Sequence, residues 1–127
     1  MAVQDLRKSD MMSHLLDSLE AGKDIGHYGR LVFTIVGRHF MGEEELVECL
    51  RKNPGVSEAD ARSLVMQVQA HGYNPPKGEE IREWQKQQEF PICPTNDPDA
   101  CDVYKDLQFP HEVYERIGEY YHQKTEG

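Results

Sequence analysis

The chain has 127 residues, 14 basic and 23 acidic, for a formal charge of −9, and 38% of its residues are hydrophobic. That length suits one core rather than two, and Leu, Ile, Val and Phe make up only about a fifth of it, so the core should be thin. The charge excludes a uniformly basic nucleic-acid coat and non-specific adhesion to anionic lipid. No run approaches the roughly 18 apolar residues of a membrane span, and Met1–Asp5 carries no apolar signal core, so a cytoplasmic protein is expected.

Residues 1–8 read as a flexible leader, and residues 9–127 as a single helical domain. Ser9 or Asp10 can cap a helix carrying Met11, Met12, Leu15, Leu16 and Leu19, which follow the spacing of one helix face, and Gly22 fits a left-handed stop. A second helix opens near Gly26 and carries Leu31, Val32, Phe33, Ile35, Val36 and Phe40. It is apolar on nearly every side and belongs at the centre of the domain; a strand over 31–36 is the alternative, because the run is β-branched. Gly42 starts a third helix whose first turn, Glu43–Glu45, complements the positive helix end, with Leu46, Val47 and Leu50 facing inward.

Pro54-Gly55 breaks the chain, and Ser57-Glu58-Ala59-Asp60 resembles a capping box ahead of a fourth helix with Ala61, Leu64, Val65 and Val68, ended by Gly72. Pro75-Pro76 makes a stiff corner before a fifth helix over roughly 78–88 with Ile81 and Trp84 inside. Residues 89–106 have no periodicity. A last helix opens at Pro110, a favoured first-turn residue, and buries Val113, Ile117 and Tyr120 or Tyr121. The expected fold is therefore all-α: an irregular bundle of five to six short helices with one long ordered loop rich in Pro, Cys and Asp. The exposed side of Met11–Leu19 is the candidate face for a second copy of the chain.

Three sets of residues carry possible chemistry. Cys93 and Cys101 share the polar, proline-rich loop. Thiolates are soft donors for zinc or an iron–sulfur cluster, and a four-ligand site needs two more donors, which His111, His122, Cys49 or His71 can supply in space. A reversible disulfide and two ordinary thiols are the other readings of that pair. The acidic residues of the same loop, Asp97, Asp99 and Asp102, do not match a calcium loop, which needs a glycine and a terminal glutamate that are missing; Asx-type turns account for them. Cys49 reads as a small buried hydrophobe.

The second set is cationic. Lys23, His27, Arg30, Arg38 and His39 lie on or beside the central helix, in a stretch with three basic groups and one acidic. They can hold phosphate or nucleic acid, or pair with Glu43–Glu45, Glu48 or the C-terminal acids. The third set is aromatic: Tyr28, Tyr73, Trp84, Tyr104, Tyr114, Tyr120 and Tyr121 can stack bases or seal the core edge. No Ser–His–Asp order or paired-carboxylate motif stands out.

The order Gly29-Arg30, an apolar helix, a glycine-led acidic helix, Tyr73-Asn74-Pro75-Pro76, Cys93-Pro94 and an acidic turn resembles the C-terminal helical domain of the archaeal and eukaryotic-type primase large subunit, over roughly residues 26–104. The resemblance implies a helical fold, a [4Fe–4S] cluster on four cysteines, and contact with template and initiating nucleotide. It matches Arg30 to a basic residue near the nucleic acid and Cys93 to a cluster ligand. The chain departs from the pattern at Lys77, where the family usually has a cysteine.

The reading as a whole is a small acidic helical protein acting as a non-enzymatic protein-interaction adapter, with a metal-associated or nucleic-acid-associated accessory domain as the alternative.

Overall fold

The computed structural model describes residues 2–97 and 99–116. They form an irregular all-α bundle with no strand among them. The stretch read as a leader is instead helix α1 (Ala2–Leu6), and Leu6 is fully buried in the common core. α2 (Asp10–Glu20) begins where the sequence places a cap: the Ser9 hydroxyl accepts from the Met12 N–H at 3.2 Å. Arg7 pairs with Asp17 at 2.9 Å and the Ser13 hydroxyl donates to the Arg7 carbonyl at 3.0 Å, so α1 is tied to α2.

The apolar side of α2 is used within the chain; the opposite, exposed side is the one considered for a second copy. Met11, Met12, Leu15, Leu16 and Leu19 are all buried in the core.

α3 (Gly26–Gly37) is the central helix, and the strand alternative for 31–36 does not occur. Val32, Phe33 and Val36 are completely buried, whereas Leu31 is only half-buried. Gly26 sits at φ +79, a backbone angle that favours glycine, and a Cβ there would displace the end of the Gln88 side chain. Gln88 uses the space: its Oε1 accepts from Tyr28 N–H at 2.8 Å, and its Nε2 donates to the Ile25 and Phe90 carbonyls at 2.9 and 3.0 Å.

α4 (Glu43–Arg51) buries Leu46, Val47 and Leu50. α5 (Glu58–His71) packs against both α4 and α3. Its capping box is reciprocal: Asp60 N–H donates to Ser57 Oγ at 3.1 Å, and Ser57 N–H donates to the Asp60 carboxylate at 3.2 Å. Ala61, Val65 and Val68 are buried, Leu64 only partly. Gly72 closes α5 in the left-handed region.

α6 (Gly78–Gln85) buries Ile81, with Trp84 half-buried and stacked on Tyr28. The long segment that follows is ordered from within. Ile92, Cys93, Cys101, Leu107 and Phe109 join the core, and α7 (Val103–Asp106) is capped by the Asp102 carboxylate, which accepts from the Tyr104 and Lys105 N–H groups. A further helical segment, α8, covers 111–116 and buries Val113; Ile117, Tyr120, Tyr121 and His122 lie outside the described residues. Among the described residues no helix is long and apolar enough to cross a membrane.

Candidate functional site

The cationic set splits in two, for a simple geometric reason. Arg30 and Arg38 are eight residues apart on one helix, about 12 Å along its axis. At the start of α3, Arg30 pairs with Asp24 at 3.1 Å. The Asp24 carboxyl is held below its usual range, chiefly by the Gly26 N–H and further by Asn53 and Arg30. His27 is exposed beside Tyr28, and Lys23 is exposed in the α2–α3 connection.

At the far end of α3, Arg38 and His39 meet Arg116 of α8. Arg38 Nη2 donates to the Tyr73 carbonyl at 3.3 Å, and Arg116 Nη1 donates to the Gly72 carbonyl at 2.9 Å. Burial, the Arg116 charge and, in opposition, Glu112 act on Arg38, with a net lowering of its pKa. Burial, Arg38 and Arg116 push His39 down to about 4, so it is neutral at pH 7. Its ring meets Phe109 edge-on at 5.6 Å.

Beside this pair of guanidiniums, His71 and Tyr73 stack with centroids 5.1 Å apart and planes 21° apart, and Tyr73 is 38% exposed. Arg38 Nε, His39 Nε2 and, next to Tyr73, Asn74 Oδ1 are buried polar atoms without a hydrogen-bond partner among the described residues. Crowded positive charge with unmet hydrogen-bonding capacity is an environment that an anion relieves.

Two of the acids considered as partners for the cationic set are engaged elsewhere, whereas Glu112, a C-terminal acid, acts on Arg38. Glu44 binds Arg62 through two bonds of 2.9 Å, and Glu48 binds Arg51 at 3.2 Å. The chain holds two 18-residue stretches free of Asp and Glu, 25–42 and 61–78, each with two Lys or Arg residues. The first contains α3 and the second contains residues 61–71 of α5, and the two helices pack side by side. The two acid-free stretches of a −9 chain are thereby brought together, bordered by Asp24 at Arg30, Asp60 in the first turn of α5 and Glu112 near Arg38. Sequence reasoning marked the first stretch. It missed the second, and with it the placing of His71, named there only as a metal donor, and of Tyr73 beside Arg38; the lack of acids over 61–78 was the available signal. Arg116 carries no such signal, because it arrives from the other end of the chain.

The residues proposed for metal fall differently. Cys93 and Cys101 are joined as a disulfide with Cα atoms 5.1 Å apart, so neither sulfur is a thiolate donor. His111 is exposed on α8 and pairs with Glu115 at 3.0 Å. Among the described residues no three His, Cys, Asp or Glu side chains are grouped to hold a metal ion. The third cysteine, Cys49, is half-buried on α4, and burial raises its pKa. A four-cysteine cluster does not fit a chain with three cysteines, two of them bonded to each other. The loop acids form local turns: Asp97 Oδ1 accepts from Asp99 N–H at 2.9 Å, and Thr95 Oγ1 accepts from Asp97 N–H at 3.3 Å.

Comparison with protein-family models, with curated proteins and with solved structures found no match to this chain.

Proposed function

We propose that this chain is a nucleic-acid-associated accessory domain that holds a single strand on the α3–α5 face. Arg38 and Arg116 take phosphate, and the Tyr73–His71 ring pair offers a platform for a base. The observation that carries the reading is the gathering of the two acid-free stretches into one surface that ends at two arginines and an exposed tyrosine. In a protein of net charge −9, such a surface confines a polyanion to one face. Template contact is also what the likeness to the primase large subunit implies, there through Arg30; the present reading adds the opposite end of α3. The reading assigns the chain no catalytic step. The adapter reading keeps one specific feature, Met66, which is 61% exposed on the outer side of α5.

The test is fluorescence anisotropy with a labelled 12-nucleotide oligo(dT) at low ionic strength. Two phosphate contacts give a slope of about −1.4 for log K against log salt, since each contact on a single strand contributes about −0.7. Arg116→Gln removes about half of that slope. Arg38→Gln with Arg116→Gln lowers affinity by about tenfold or more while circular dichroism stays helical. Absence of binding at low salt, or binding that the double substitution leaves unchanged, overturns the proposal.

A further inference from the structure

α3 and α5 run in the same sense along their shared seam. A cleft of about 290 Å³ brings His27 and Arg30, near the start of α3, to Ala61, Ser63 and Leu64 in the first half of α5 and to Gln67 just past its middle. At the other end, Arg38, just past α3, bonds to the Tyr73 carbonyl, just past α5. One seam thus joins the cleft to the arginine pair.

The seam has a chemical character of its own. Ser63, Gln67 and His71 are spaced four apart, so they form a single stripe on α5, and all three are exposed. The stripe leads from the cleft to the stacked ring of Tyr73. It carries hydrogen-bonding groups and no acid. The cleft's one carboxylate, Asp60, is at its outer end and is already bonded to the Ser57 N–H. The cleft floor, Val56 and Leu64, is apolar and suits a base or sugar face.

We infer that the His27–Arg30 cleft is a second station for the same strand, so that the bound ligand is a single-stranded polynucleotide laid along the α3–α5 seam. This deepens the proposed function and rests on it. Charge complementarity selects the occupant: both ends of the seam carry an arginine, Arg30 exchanging its Asp24 ion pair for phosphate, and the Ser63–Gln67–His71 stripe between them is uncharged and polar. The stations are about 12 Å apart along α3, further than one phosphate group reaches. A mononucleotide or free phosphate fills one station only. A strand of several nucleotides fills both, and the second contact then forms at the high effective concentration of a tethered group.

The experiment compares labelled oligo(dT) of 3 and 12 nucleotides on the intact chain at low salt, for the parent and for Gln67→Glu and Arg30→Gln. Gln67 is exposed, so its substitution leaves the core alone. A 3-nucleotide site has ten registers on the longer strand, which give about a tenfold advantage by number alone, so the second station shows as an advantage of about a hundredfold or more in the parent. Either variant cuts that advantage to about the tenfold of a single station, with 3-nucleotide binding at the arginine pair preserved. If the parent shows only that tenfold, or if its larger advantage survives both substitutions, the second station is wrong while the arginine face stands. If neither strand binds the parent, the proposed function falls together with this inference.

Discussion

The helical half, α2 to α5, and the segment 86–110 both contribute to the core, but by different means. In α2 and α3 the burial is distributed. Met11, Met12, Leu15 and Leu19 line one helix, Val32, Phe33 and Val36 the other, and every residue leans on neighbours a turn away. The 86–110 segment hangs on a few points: the three bonds of Gln88, the Cys93–Cys101 bridge, the Asp102 cap, the Tyr104 hydroxyl donating to the Pro75 carbonyl, and the Phe109 ring set against His39 and Phe40. Distributed burial fails all at once, whereas point attachment releases a segment and leaves the rest standing.

The largest effect should come from the helical half. Phe33 is completely buried at the centre of α3. Phe33→Ala removes its contacts and opens a cavity, at a cost of about 3–5 kcal/mol. Chemical denaturation should show a lower midpoint, and hydrogen exchange should rise in every helix together. A rise confined to α3 would mean that the core is less cooperative than its packing indicates.

A smaller and more local effect belongs to the bridge. Closing so short a loop removes about 2–3 kcal/mol of unfolded-state freedom. Cys93→Ser with Cys101→Ser should therefore speed exchange in 89–106 first, with α2–α5 protected. Thiol titration of the unfolded chain should find one reactive cysteine before reduction, Cys49, and three after it. Three thiols in unreduced protein purified without oxygen, together with about one zinc or a cluster's iron per chain, would replace the bridge with a metal site.

The same contrast governs what was legible in the sequence. Helices announced themselves through periodicity and caps: Ser9, the Ser57/Asp60 box and the Gly72 stop all occur where the pattern puts them. Ile92, Cys101, Val103, Leu107 and Phe109 stand singly in a polar stretch, so no period betrays their burial. Leu31, Leu64 and Trp84 sit on inner stripes, yet each is at a seam edge and only half-buried. For the site, sequence marked Arg38 and His39 on the central helix and put His27, Arg30 and Lys23 at one end of it, but a one-dimensional count of charge says nothing of what meets Arg38 at the other. The bonds of Arg38 to Tyr73 and of Arg116 to Gly72 are tertiary, spanning 35 and 44 residues, and local pattern has no access to them.

The smallest effect comes from His39, where the two regions meet. Its ring lies against Phe109 of the attached segment, and Arg38 and Arg116 face it. In the folded chain it takes a proton only near pH 4, whereas in the unfolded chain it does so near 6.5. Above pH 6.5 both states hold it neutral, and its contribution is complete. As pH falls from 6.5 to 4, the unfolded state binds the proton first and stability drains away; below 4 both states are protonated and the loss stops. Because the site is only half-buried, the loss is on the order of 1–2 kcal/mol rather than the full shift. Urea titrations at pH 7.5 and 4.5 isolate it when the parent is compared with His39→Gln, since the other titrating groups are common to both. The parent should lose more stability than the variant between those two pH values, and faster exchange near Phe109 should accompany the loss. An equal loss in both proteins would show that His39 is solvated in the folded chain, and that the 86–110 segment is not seated on the end of α3.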